Sequence, residues 1–457
     1  MKVGLREVAQ IPSAAVAKLH TLLPDRVILP GDGDYEAARR VWNHAIDRRP
    51  GMIVRCGNAS DVAAAVAFAR ENDLLTAVRG GGHSVAGLAV CDGGMVIDLS
   101  PMKQIEVDRE RAVARAGAGL TLGEFDTATQ AIGMATTMGT APPTGIAGLT
   151  LGGGYGWLMG KYGLACDNLL GVEIVTADGR IHNANADENP DLYWAVRGGG
   201  GNFGVATRFD YRLHAQGPVL GGMVAYPVSR VRDVLDFYRE FTSTAPDELT
   251  TFAGLTPGPD GNPVAAVTVC YSGDLDAGER ALKPLRSFGS PVADLIRPMP
   301  YVEMQKVLDV PPGPLCGYWK GGFVREVTDG AVDALVDAIG QAPIPSLVVF
   351  EHFHGAVARV ATEATAFSHR NSPHNLLILS LWIDPSQKDR IVRWVRESWN
   401  AMRQFTGAGV YVNALADDGE GRIREAYGPN YERLRTIKRR YDPDNFFRLN
   451  QNIEPAP

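Results

Sequence analysis

A chain of 457 residues exceeds what one hydrophobic core organises, and its 45% hydrophobic and 21% charged residues describe a soluble globular protein rather than a disordered one. The formal net charge of −7 and the lack of any long basic run exclude an electrostatic footprint for nucleic acid. Five widely spaced cysteines without a CxxC pair exclude a disulfide framework and a zinc site.

The first residues, MKVGLREVAQIPSAAVAKLH, have no continuous apolar stretch of the leader type, and no later run approaches a membrane span, so the expected location is the cytoplasm. From Ser60, SDVAAAVAFAREND predicts a short surface helix, with Ser60 as N-cap and Val62, Val66 and Ala69 on one face. Around it LLTAVRG (before Gly80), GGMVIDLS (93–100), RAVARAGAG (111–119) and GVEIVTADGRI (171–181) read as strands. Short strands joined by glycine turns predict an α+β fold and not a doubly wound parallel sheet. Beyond residue 212 helical patterns alternate with strand-like runs, which predicts a second domain. Its elements include the helix SRVRDVLDFYREF and the strands PVAAVTVCYSG, CGYWKGGFV, PSLVVFEHFHGAVARV and HNLLILSLWID. The long helix PSQKDRIVRWVRESWNAMRQF, with Pro385 in its first turn, closes that domain, and residues 411–453 return to turns and a helix at NYERLRTIKRRY.

Three glycine clusters punctuate the first half: RGGGHSVAG (79–87), GIAGLTLGGGYG (145–156) and RGGGGNFG (197–204). Bare main-chain N–H groups in such loops accept phosphate oxygens, and the lack of Cβ lets a pyrophosphate approach. The bland alternative is three tight turns at strand ends. The third cluster matches GxGxxG, but VATRFDYRL after it alternates as a strand, whereas the dinucleotide fingerprint needs a helix there. His83, inside the first cluster, stands beside whatever is cradled.

Together with KYGLACDNLLGVEIVTADGRI (161–181), ENPDLYWAVRGGGGNFGV (188–205) and YDPDNFFRLNQNI (441–453), these clusters resemble the FAD-linked oxidases of the berberine bridge enzyme type, which carry a PCMH-type FAD-binding domain of the vanillyl-alcohol-oxidase-like superfamily. The chain resembles in particular the bacterial members similar to 6-hydroxy-D-nicotine oxidase. The resemblance implies a bilobal fold: an FAD-binding domain from residues 1–212, an inserted substrate domain on an antiparallel sheet from 213–410, and a C-terminal segment, 411–457, completing the FAD domain. It implies that Arg79, Gly80, Gly81, Gly82 and Ser84 cradle the pyrophosphate, with Gly87 also binding the cofactor. Thr144, Gly145, Gly148, Gly152, Gly153, Asp167, Asn168 and Val205 would line the cofactor, with Asn450 and Asn452 closing over it from the tail. It implies a covalent bond between His83 and the flavin 8α carbon. The second link some members form needs a cysteine where this chain has Ala141, and Cys166 reads as a buried thiol, so attachment through His83 alone is expected.

A hydride donor must also lose a proton, and the base is ambiguous. In the Y-x-N-Y pattern of sugar-oxidising relatives this chain reads Tyr411-Val412-Asn413-Ala414, and LLILSLW (376–382) lacks the carboxylate of the plant enzyme. Candidates are Tyr411, with Lys320 supplying charge, and Glu351 or His352 of VVFEHFHG, which alternation puts on opposite strand faces. The spacing of His352 and His354 suits a metal, but no third ligand is apparent, and no metal is expected. His369 and Arg370 read as anchors of a loop or of an acidic substrate group. The expected activity is oxidation of a small hydroxylated or amine-bearing metabolite with O2 as acceptor and H2O2 as product, by a monomer or homodimer. A dehydrogenase using another acceptor, or a flavin-binding protein with little turnover, is the alternative.

Overall fold

The computed structural model describes residues 7–457 apart from 259, 310–312, 344–345 and 408; the first six residues and Pro345, included in the expectations above, lie outside the described residues. Three sheets carry the architecture. The first joins Val27–Ile28, Met52–Arg55, Met95–Asp98 and Thr76–Arg79, the last three in parallel. The parallel pairing follows from the helix Ala59–Glu71, which serves as a crossover between Met52–Arg55 and Thr76–Arg79. That helix is capped by Asn58, whose side chain accepts from Asp61 N, and not by Ser60; it buries Val62, Ala65, Val66, Phe68 and Ala69.

The second sheet is antiparallel, in the order Ile105–Asp108, Val113–Gly117, Val205–Arg212, Leu169–Val175, Ile181–Asn185. The third glycine cluster follows the helix Pro190–Ala195, not a strand, but runs directly into the strand Val205–Arg212, so no helix N-terminus faces a dinucleotide there. Both sheets share one apolar core with the C-terminal helix Tyr431–Tyr441.

The second lobe is an eight-stranded antiparallel sheet. Its central strands Val219–Pro227, Leu249–Pro257 and Pro263–Tyr271 are buried on both faces almost throughout, which is why their sequence reads as unbroken apolar runs. One face packs under the helices Val231–Thr242, Asp329–Ile339 and Lys388–Met402. The first of these buries Val231, Val234, Leu235 and Tyr238 at helical spacing, each contributing about 1.5–3 kcal/mol. The other face looks at the first lobe across an aromatic cluster with Trp157, Phe252, Phe323, Phe353 and Tyr411. The chain is thus an α+β, bilobal molecule. The tail is pinned back by Lys438, fully buried, whose Nζ donates to Asp442 Oδ2 (2.7 Å), Asn202 O (2.7 Å) and Phe447 O (2.9 Å). Among the described residues no helix is long and apolar enough to cross a membrane.

A buried acid joins the lobes. Asp126 receives Gln305 Nε2 at 2.7 Å, while Asp126 Oδ1 and Gln305 Oε1 have no partner. Burial outweighs that hydrogen bond and lifts Asp126 to about 7 from 3.8, so the carboxyl is protonated below that pH. In the unfolded chain the group ionises first, near 4, and folding stability therefore falls as pH rises from about 4 to 7. Asp126→Asn keeps an acceptor for Gln305 Nε2 and cannot ionise: its thermal midpoint at pH 8 is expected about 3–6 °C above the parent, with a smaller gain at pH 5. Differential scanning calorimetry at both pH values checks this, and equal midpoints at pH 8 would refute it.

Candidate active site

Between the lobes opens a cavity of about 390 Å³, within the range of small-molecule sites. Of the cofactor residues expected from the sequence, Gly80, Gly81, Gly82, His83, Ser84, Thr144, Gly145, Gly148, Val205 and Asn450 line it. The main-chain N–H groups of residues 80–84 find no acceptor among the described residues, leaving a row of donors on one wall. The two glycine loops touch: a Cβ on Gly81 would stand 2.4 Å from Gly145 N, so no larger residue fits. Asn450 donates to Gly201 O (3.2 Å) and Phe447 O (2.9 Å), which fixes its amide and leaves Oδ1 buried without a donor. Free donors for phosphate and a free acceptor for a ring N–H fit FAD.

His83 lies in this wall with its ring stacked on Trp42, centroids 4.2 Å apart and planes at 25°. Burial lowers its pKa to about 4, so the imidazole is neutral near pH 7 and offers a nitrogen lone pair.

Several expected residues face elsewhere. Arg79 is the strand partner of Asp98, and its guanidinium is held by that carboxylate (2.6 Å) and the carbonyls of Ala38 and Arg40, so it anchors the loop root and not a phosphate. Gly87 makes a left-handed turn against Ile46, Gly152 packs on the Asn413 amide and Gly153 on Phe367; all three shape the loops from behind. Asp167 forms a bidentate bridge with the buried Arg370 (2.7 and 2.7 Å), which leaves Arg370 no charge for an acidic substrate. Asn168 holds Tyr162 O, Leu164 O and His214, and Asn452 lies off the cavity. His369 Nε2 meets the carbonyls of Glu425 and Ala426, as a loop anchor does. Cys166 is a buried thiol that burial pushes far up.

The opposite wall carries the proton-handling groups. Tyr411 lines the cavity, but its oxygen already receives Asn413 Nδ2 (2.8 Å) and Gly154 N (3.2 Å). With both lone pairs engaged and burial raising its pKa, Tyr411 donates and does not act as a base. Lys320 gives it no charge. Its neighbour Trp319 lines the cavity, so strand alternation turns Lys320 to the far face, where Asp417 (2.9 Å) and Asp418 (2.6 Å) hold it. His352 likewise faces the helical layer, stacked on His354 (4.2 Å, 5°) and His374 (5.2 Å, 28°). His374 is a third imidazole the sequence did not reveal. Parallel rings aim their lone pairs sideways, however, and among the described residues no cluster can hold a metal.

Glu351 sits on the cavity side, one layer back. It is buried and accepts from Asn375 Nδ2 (2.6 Å), an amide that also reaches the hydroxyl of Tyr155 (3.5 Å), whose ring lines the cavity 4.9 Å from that of Tyr411. Burial raises Glu351 to about 7, partly countered by hydrogen bonding. Burial and the adjacent carboxyl hold the Tyr155 hydroxyl protonated. Sequence reasoning missed Tyr155, although an aromatic inside GGGYGW was its signal, and missed Trp42, Asn375 and Trp319, which had none.

Free main-chain donors on one wall and an aromatic, proton-handling roof on the other define a two-lobed flavin-dependent oxidoreductase. An FAD binding domain model matches residues 50–185, and a berberine and berberine-like model matches 410–454. An FAD-linked oxidoreductase of Dictyostelium discoideum is 33% identical over 94% of both chains. The (R)-6-hydroxynicotine oxidase of Paenarthrobacter nicotinovorans is 33% identical over 94% of this chain and 96% of its own. The crystal structure of 6-hydroxy-D-nicotine oxidase from Arthrobacter nicotinovorans superposes with a TM-score of 0.87 at 31% identity, covering 95% of this chain and 98% of that one. The chain belongs to the berberine-bridge-type FAD-linked oxidoreductases, and its cofactor is FAD.

Proposed function

We propose that this protein is an oxidase that removes a hydride from a CH–OH or CH–NH carbon of a small metabolite and passes the electrons to O2, releasing H2O2. The observation that carries the reading is Tyr155 on the cavity wall with the Glu351 carboxyl behind it, the two bridged by the Asn375 amide. Bound FAD supplies the hydride acceptor. The protein supplies the cradle at residues 80–84 and 145–148, a tether at His83, and a route for the departing proton. The substrate hydroxyl gives its proton to Tyr155 Oη as the phenol passes its own to Glu351, while Tyr411 donates a hydrogen bond that holds the substrate.

In this reading residues 1–212 and 411–457 form the cofactor unit and 213–410 the substrate unit. Small residues at Ala141 and Thr144, both lining the cavity, leave space for O2. Five free cysteines support a cytoplasmic location. The names of the relatives support the oxidase class, since one oxidises hydroxynicotine. Stopped-flow mixing of the anaerobically reduced protein with air-saturated buffer tests it: recovery of the yellow spectrum within seconds, with one H2O2 per flavin, is expected. Recovery over many minutes would reassign the electron acceptor.

A further inference from the structure

We propose that the substrate is an uncharged, flat alcohol, held with its carbinol at Tyr155 and its apolar body along Leu377 and Leu379, and that Trp319 selects it by donating its indole N–H to an acceptor at the far end. This rests on the reading above that oxidation takes place in this cavity.

The roof follows from strand register. Cys316–Val324 and His374–Trp382 pair so that Trp319 lies opposite Leu379, Gly321 opposite Leu377 and Phe323 opposite Asn375. Asn375 in turn lies opposite Glu351 on the next strand. Side chains alternate along a strand, so this set shares the cavity face. The roof is therefore polar at one end only, where Asn375, Glu351 and Tyr155 meet. From Asn375 to Leu379 it runs about 13 Å, at roughly 3.4 Å per residue, enough for one or two rings.

Charge narrows the choice. Among the described residues the cavity lining holds no Asp, Glu, Lys or Arg. The nearby cations are spent: Arg79 on Asp98, Arg370 on Asp167, Lys320 on Asp417 and Asp418. With the N–H groups of residues 80–84 taken up by the cofactor, a carboxylate or phosphate on the substrate would shed water for no partner. An ammonium would find one carboxyl, Glu351, screened behind Tyr155 and Asn375. A sugar would desolvate several hydroxyls against leucine. Trp319 Nε1 is buried and has no acceptor among the described residues, so a single acceptor on the ligand, such as an ether oxygen on a ring, satisfies it.

The test titrates oxidised holoenzyme with ligands that do not turn over, reading the flavin difference spectrum. The ligands are 4-methoxybenzaldehyde, 4-methoxybenzoate, benzyltrimethylammonium and methyl β-D-glucoside. The neutral aldehyde is expected to bind at least tenfold more tightly than the other three. Equal or tighter binding of an ion or of the glycoside, or no binding of the aldehyde at millimolar concentration, overturns the inference. Trp319→Phe keeps the ring and removes the donor. It should weaken 4-methoxybenzaldehyde about tenfold while leaving benzaldehyde within twofold, and an equal loss for both ligands would make Trp319 structural only. The oxidase reading stands or falls separately, on whether any alcohol bleaches the flavin without air.

Discussion

Replacing His83 by alanine frees the flavin: acid precipitation of the wild-type protein is expected to carry the yellow colour into the pellet, and that of His83→Ala to leave it in the supernatant. The physical case is the ring's setting. Buried in the cavity wall, with its pKa lowered to about 4 and its plane fixed on Trp42, the imidazole keeps one lone pair available near neutral pH and one orientation in which to use it. Since C–N attachment also makes a flavin the stronger hydride acceptor, reduction by substrate should slow about tenfold in the variant even when FAD is saturating, a change of roughly 1.4 kcal/mol in the barrier. The row of free N–H groups at residues 80–84 is untouched by the substitution, so FAD should still bind, reversibly. Trp42→Leu should give a mixture of bound and released flavin. Wild-type colour in the supernatant would remove covalent attachment and leave the FAD site intact.

Backbone-borne features were legible from the residues, and face-borne ones were not. Glycine in RGGGHSVAG announces a loop whose main chain is meant to be approached, because nothing else about glycine is useful there; the structure puts those N–H groups on the cavity wall. Arg79, one residue earlier, looked like part of the same cradle. Its direction is set by the parallel register that places Asp98 beside it, and register between strands separated by a helix leaves no local trace. The same limit decided the catalytic candidates. Alternation in VVFEHFHG separated Glu351 from His352 correctly, but which of them met the cofactor depended on a helical layer covering one side of the sheet. Lys320 and Trp319 were distinguishable only once Leu379 was known to lie opposite Trp319. Asn58 displaced Ser60 as the helix cap because the helix starts one residue before Ser60, at Ala59, a shift of the size by which helix ends ordinarily vary.

The two titrating acids of this structure work at different places under one rule. Asp126 and Glu351 are both lifted to about 7 by burial and both hydrogen-bonded by a side-chain amide. Asp126 accepts from Gln305 across the lobes, whereas Glu351 shares the Asn375 amide with a phenol that lines the cavity. In the proposed reaction a proton accepted by Glu351 has a route from the substrate, and one accepted by Asp126 has none on view among the described residues.

Glu351→Gln should lower the rate of flavin reduction about 10²–10⁴-fold, the span a positioned base contributes, with the affinity for an inert ligand changed little. The sign of the pH dependence follows from the raised pKa. Below about 7 the wild-type carboxyl is protonated and cannot accept, so the anaerobic reduction rate should rise tenfold per pH unit up to about 7 and then level off. Glutamine keeps the shape and the contact with Asn375 but has no titration, so the variant's residual rate should be flat across that window. Tyr155→Phe interrupts the same route one atom earlier and should lose a comparable factor, and the double variant should lose no more than the worse single one, because both act on a single proton. Tyr411→Phe removes a donor and not the base; it should weaken binding and slow reduction less, about tenfold, while keeping the rise toward pH 7. Rapid-scan anaerobic reduction of the four variants between pH 5.5 and 9 separates these outcomes. A wild-type pH profile in Glu351→Gln, or a flat one in Tyr411→Phe, would move the base from Glu351 to Tyr411.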